Sequence, residues 1–113
     1  MQEKTSPEGD RGKGMRIGRK EAEKFSSSLR YSKEGLIPVV AFDSSTGKPL
    51  MLAYANREAV IRTLTSGFAW FYSRERKRLW KKGETSGNLL TVAAVRVDCD
   101  TDALVYEVKV KGK

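Results

Sequence analysis

The sequence predicts an α+β domain, mainly β, with one or two short helices, and three observations carry that expectation. Residues 36–42 and 49–54 are apolar runs of strand length separated by turn-forming residues. Residues 68–73, 89–98 and 103–110 are rich in branched and aromatic side chains, which suit a pleated, half-buried surface. Helical spacing of apolar residues is confined to two stretches, 19–29 and the segment between Asn56 and Gly67. A chain of 113 residues has surface enough for one compact core and no more.

In chain order, residues 1–15 read as a disordered tail, because Pro7, Gly9, Gly12 and Gly14 among charges leave little to bury against the entropy of ordering. Met15 is an alternative start, and 16–113 is the folded body. The first helix places Ala22, Phe25, Ser26 and Leu29 on one side. Asp43 to Lys48 supplies the turn of a hairpin. Asn56 is a good N-cap, Glu58 a favourable first-turn acid, and Gly67 the stop of a helix that buries Ala59, Val60, Ile61 and Leu64. The remaining three strands follow, with no internal repeat.

The chain is 39% hydrophobic and 32% charged, which suits a soluble protein or a subunit that completes its core by pairing. No run approaches the roughly 18 to 20 apolar residues of a membrane span, and residues 1–15 carry no apolar core of a secretory signal. The lone Cys99 cannot form an internal disulfide, so a cytoplasmic location is expected. The net charge of +8 is concentrated in Arg74, Arg76, Lys77, Arg78, Lys81 and Lys82, opposed locally by Glu75, with Trp80 among them. That is a patch for an anion or a solvated loop; a phosphorylated small molecule and a nucleic-acid backbone both suit its charge. No phosphate-binding P-loop or dinucleotide fingerprint is present.

Within residues 73–88, Gly83 and Gly87 permit tight turns and close backbone approach, and Trp80 offers a stacking face or an apolar anchor. The segment reads as a substrate loop or as a plain connection. In Asp98-Cys99-Asp100-Thr101-Asp102, the two-residue period of an extended chain places three carboxylates on one face and Cys99 on the other. Crowded carboxylates raise one another's pKa unless a cation relieves them, and oxygen ligands suit Mg²⁺ while a thiolate suits zinc. The bland alternative is an acidic turn with Cys99 buried. A calcium EF-hand is excluded, because Ala103 and Lys109 stand where its glycine and glutamate belong.

Together, Ser73-Arg74-x-Arg76-x-x-Leu79-Trp80-x-Lys82-Gly83-Glu84-x-Ser86-Gly87 and Arg96-Val97-Asp98-Cys99-Asp100-x-Asp102-Ala103-Leu104 resemble the phosphoribosyl-AMP cyclohydrolase family of histidine biosynthesis. The resemblance begins near Gly35, includes residues 51–56, and runs to the end of the chain. It implies a hydrolase that opens the N1–C6 bond of the adenine ring of 1-(5-phosphoribosyl)-AMP, a barrel-like β body, an intertwined cytoplasmic homodimer, and both Mg²⁺ and Zn²⁺. Carried over, Asp98, Asp100 and Asp102 are the expected Mg²⁺ ligands and Cys99 a zinc ligand shared across the dimer. Arg74, Arg76, Trp80, Lys82, Glu84, Ser86 and Gly87 are the expected substrate loop, whose cations answer the substrate's two phosphates.

The chain departs from the pattern at two places. Asn88 stands where the family has histidine, Leu90 replaces a polar glutamine, and there is no histidine at all. The sequence ends at Lys113, where the family continues into a Cys-His-Thr-Gly-x-x-Ser-Cys segment with two further zinc ligands. A catalytic zinc takes three protein ligands. The expectation is therefore a chain that, as it stands, turns its substrate over slowly or not at all: it is truncated, a partner supplies the missing ligands, or, as the alternative function, it is an inactive relative that keeps phosphate and Mg²⁺ binding. Binding to membrane or nucleic acid is not expected.

Overall fold

Two antiparallel hairpins lie side by side in the main sheet of the computed structural model, which describes residues 4–5 and 16–110. The first joins β2 (Ile37–Asp43) to β3 (Pro49–Ala55), with Val39 opposite Ala53. Its turn is organised by Asp43, whose carboxylate accepts from the Ser45 amide at 2.9 Å and the Ser45 hydroxyl at 2.6 Å, while Gly47 takes the left-handed φ of +75°. The second joins β6 (Leu90–Val97) to β7 (Leu104–Val110). The hairpins meet through β2 and β7, which run parallel with Val39 opposite Leu104. With β1 (Lys4–Thr5) on the far side of β6, the strand order is β1-β6-β7-β2-β3.

Alternation sets the core face: Ile37, Val39 and Ala41 of β2 and Leu104, Tyr106 and Val108 of β7 are buried. In β6 strict alternation would send Val95 and Val97 to the other side from Leu90 and Val92. A bulge between Val92 and Ala94 inserts Ala93 opposite no residue and resets the phase, so all four valine and leucine side chains are buried.

Both helices cover that face. α2 (Arg57–Ser66) begins where the Asn56 side chain accepts from the Ala59 amide at 2.8 Å and ends at Gly67, whose φ is +84°. α1 (Arg19–Ser27) is shorter than the expected 19–29 stretch, yet Ala22, Ser26 and Leu29 are buried and Phe25 packs on the core as the spacing required. Arg19 ties the helices together by pairing with Glu23 at 3.1 Å and Glu58 at 3.3 Å.

The β-rich α+β class is as expected, with one correction: among the described residues the sheet is open, with β1 and β3 at its edges, and does not close into a barrel. A second correction concerns 73–88, read as a loop throughout. Arg78–Lys81 is a strand, β5, that pairs with β4 (Trp70–Ser73) in a separate two-stranded sheet. The expected tail lies outside the described residues except at Lys4 and Thr5, which pair with Val97 and Arg96; the alternative start at Met15 lies outside them too. Among the described residues no helix is long and apolar enough to cross a membrane.

Among the described residues, the buried Tyr106 hydroxyl makes no well-formed hydrogen bond. Thr63, the polar side chain facing it, is already engaged, donating to the Ala59 carbonyl at 2.9 Å and accepting the Trp70 amide at 2.9 Å. An unpaired buried hydroxyl is a cost without a return, so Tyr106→Phe is expected to leave stability unchanged or raise it by up to about 1 kcal/mol. A urea midpoint that falls clearly, at unchanged m, would contradict this.

Candidate active site

The β4–β5 hairpin and the loop that follows it form one wall of an open cleft of about 600 Å³, and β3 forms the other. Trp80 stands directly opposite Phe71 across the hairpin. Its ring lies 5.0 Å from that of the buried Phe71, which holds the indole half-buried at the cleft wall. The cations come from the hairpin turn and from β5 and its exit: Arg74, Arg76, Arg78, Lys81 and Lys82 all line the cleft. Arg74 crosses to the β3 side, where its guanidinium sits 4.4 Å over the Tyr54 ring.

The exit loop is folded back on itself. The Gly87 amide donates to the Gly83 carbonyl at 2.8 Å, and Glu84 reaches back so that its carboxylate accepts from the Lys81 amide at 3.1 Å and faces Arg78 at 3.7 Å. Gly83 combines a φ of +88° with close approach: a β-carbon there would lie 2.4 Å from the Asn88 carbonyl atoms.

Of the expected substrate residues, Arg74, Arg76, Trp80, Lys82, Glu84 and Ser86 are brought together in this cleft, whereas Gly87 closes the loop behind it. Glu84 is committed to its own loop. Asn88, like Gly87, is not among the lining residues; its amide donates to the Ser86 hydroxyl at 3.3 Å. Sequence reasoning missed Tyr54 and Tyr72, which complete the wall. Tyr72 lies just before the basic run and Tyr54 ends a hairpin strand, so an aromatic next to charge was the available signal.

The acidic segment corrects the expected geometry. Residues 98–102 are a turn between β6 and β7, not an extended strand, with Thr101 at φ +56°. Asp98 organises it: its Oδ1 accepts from the Asp102 amide at 3.0 Å and the Ala103 amide at 3.3 Å. The turn nevertheless gathers Asp98, Asp100 and Asp102, which offer carboxylate oxygens within 4.8 Å of one another. Two oxygens on one Mg²⁺ lie at most about 4.2 Å apart, twice its bond length, so the donor set fits a hard cation after small side-chain movements. A hydrogen bond with Asp98, then desolvation and the charges of Asp98 and Asp100, raise the pKa of Asp102. Cys99 is exposed rather than buried. None of these residues lines the cleft.

Comparison with known proteins bears on both segments. A family model described as phosphoribosyl-AMP cyclohydrolase matches residues 51–113. The chain is 59% identical over 81 residues to the histidine biosynthesis bifunctional protein HisIE of Aquifex aeolicus, covering 72% of this chain and 40% of that one. It is 57% identical over 84 residues to the phosphoribosyl-AMP cyclohydrolase of Archaeoglobus fulgidus, covering 74% and 78%. With that of Pelotomaculum thermopropionicum it shares 51% identity over 85 residues, covering 75% and 66%. The chain thus spans from under half to about three quarters of the curated relatives it matches. Identity at this level across the hairpin, the cleft loop and the acidic turn places the chain in the phosphoribosyl-AMP cyclohydrolase family.

Proposed function

We propose that this chain acts in the third step of histidine biosynthesis, opening the adenine ring of 1-(5-phosphoribosyl)-AMP. Water adds its oxygen to C6 and gives one proton to the exocyclic imine nitrogen, then the C6–N1 bond breaks as the second proton passes to N1, leaving a carboxamide. The cleft carries the reading, because it sets Arg74, Arg76, Arg78 and Lys82 around aromatic walls. Guanidinium groups bind phosphate through paired hydrogen bonds, and the substrate has two phosphates beside a purine.

Mg²⁺ is assigned to Asp98, Asp100 and Asp102; when bound it supplies a hard positive charge that orients oxygen ligands and offsets phosphate charge. Zinc does not fit the residues present. Cys99 provides one thiolate per chain and the sequence has no histidine, short of the three ligands of a catalytic zinc. Its assignment to Cys99 across a dimer rests on ligands from outside this sequence, and no step is derived through it.

A homodimer is supported by two observations. The acidic turn contributes no residue to the cleft lining, which is consistent with a site assembled from two copies. The outer face of the sheet carries a row of Leu52, Val40 and Val105 in register, with Leu52 68% exposed and Leu50 beside it 42% exposed on edge strand β3. Sedimentation as a folded monomer at micromolar concentration would count against pairing.

The activity is tested by following loss of the N1-substituted adenine absorbance with Mg²⁺ and Zn²⁺ supplied. Saturable substrate binding is expected, with turnover absent or at least about a hundred- to ten-thousandfold below that of a histidine-bearing relative, since Asn88 is no general base and the zinc ligand set is short. A chain that shows no substrate binding and no turnover would overturn the proposal.

The metal assignment predicts a pH dependence. A carboxyl whose pKa is raised in the folded state contributes stability below the ordinary carboxylate value and loses it as pH rises through the raised value. Mg²⁺ is therefore expected to raise the melting temperature near neutral pH, with an effect that fades as Asp102 takes up its proton in acid. Melting curves with Mg²⁺ and with chelator across that range check this; coincident curves at neutral pH would sink it.

A further inference from the structure

We infer that Trp80 is the stacking platform for the purine base in the cleft, and that the buried Phe71 is a positioning residue that fixes it there. The inference rests on the proposed nucleotide reading of the cleft and adds which side chain reads the base. Three aromatic side chains face the cleft: Tyr54, Tyr72 and Trp80. Tyr54 already carries the Arg74 guanidinium 4.4 Å over its ring, which occupies that face. Trp80 offers the largest ring of the three, the strongest π face, and it lies in sequence between Arg78 and Lys82, both of which also line the cleft.

What distinguishes Trp80 further is its support. It is the cross-strand partner of Phe71, with ring centroids 5.0 Å apart and planes inclined by 35°. Phe71 is fully buried and rests in turn on Tyr106, also fully buried, at 5.8 Å and 37°. Three tilted rings thus run from the middle of the sheet to the cleft wall, and the innermost two cannot move without disturbing the close-packed core. The indole is oriented before any ligand arrives, so stacking a base on it sacrifices little side-chain freedom. Truncating Phe71 leaves Trp80 present but free to turn, which separates a positioning role from a contact role.

The test compares the affinities of the full chain for AMP and ribose 5-phosphate, which share the phosphate and sugar and differ in the base. The wild-type chain is expected to prefer AMP by about tenfold or more, the order observed when aromatic stacking is removed. Trp80→Leu is expected to abolish the preference by weakening AMP alone, while Trp80→Phe, which keeps an aromatic ring against Phe71, retains most of it. Phe71→Leu is expected to shrink the preference with ribose 5-phosphate affinity unchanged, a split that general loosening of the fold would not produce. If Phe71→Leu fails to fold, the pair of Trp80 variants still decides: equal AMP affinity in Trp80→Leu and Trp80→Phe overturns the platform. Loss of the preference in Tyr72→Leu but not in Trp80→Leu overturns it too, as does equal weakening of both ligands in Phe71→Leu. A wild-type chain that binds both ligands alike defeats this inference and leaves the phosphate reading standing. A chain that binds neither ligand defeats the nucleotide reading itself.

Discussion

Gly83→Ala is expected to weaken AMP binding in the cleft by tenfold or more while leaving the sheet folded. Two costs add at this position. The φ of +88° disfavours any residue with a β-carbon, by about 1–2 kcal/mol. The added carbon would also sit 2.4 Å from the Asn88 carbonyl carbon and oxygen and 2.7 Å from the Leu89 nitrogen. Those are backbone atoms and cannot rotate aside, so the return of the loop from Lys82 to Asn88 has to open, displacing Glu84 and Ser86 from the wall. Gly47 is the control: it has a φ of +75° but nothing within 4 Å of its would-be β-carbon, so Gly47→Ala bears the backbone cost alone, at a turn that does not line the cleft. Titration with AMP and urea midpoints for both variants check this. Unchanged affinity in Gly83→Ala would mean that loop closure is not needed for binding.

The second large effect is expected from the double variant Arg74→Ala, Arg76→Ala, which should lower AMP affinity by about a hundredfold or more. Each hydrogen bond to a charged group contributes roughly 1.5–3 kcal/mol, and two such cations face the same cleft. Arg74 also fixes Tyr54 through their 4.4 Å contact, so its loss frees that wall as well. The wild-type affinity should fall with added salt and that of the double variant should fall less, because fewer charges remain to be screened. Titrations at low and high ionic strength check this, and equal salt sensitivity in the two proteins would place the phosphate elsewhere.

What the sequence disclosed was mostly local. Asn56 and Gly67 bound α2 because a side-chain acceptor and a left-handed stop act within one turn of the helix, and the first hairpin is legible because Asp43 and Gly47 serve their own turn. The strand β5 was hidden because Arg78-Leu79-Trp80-Lys81 has the composition of a solvated loop; it is a strand because β4 lies beside it and Trp80 finds Phe71. The bulge at Ala93 has no marker in composition, since only the burial of both ends of β6 requires it. In the acidic segment the right residues were read with the wrong backbone. Side-chain period alone does not reveal that the Asp98 carboxylate accepts from two amides beyond it and bends residues 98–102 into a turn. Whether a sheet stays open is likewise a property of how distant strands meet, beyond the reach of any local pattern.

The parallel contact between β2 and β7 also sets the order in which this chain can acquire its structure. The two hairpins each close over a few residues, but Val39 and Leu104 meet only after everything from β3 to β6 has been gathered into the loop between them. Closing so long a loop forfeits chain entropy before any parallel hydrogen bond is made. The seam between the hairpins is therefore expected to form after the local turns that serve each hairpin, because its pairing is the most distant in sequence. Until docking occurs, both strands of the future seam present unpaired edges, and it is in that interval, more than in the finished sheet, that the chain is exposed to aggregation.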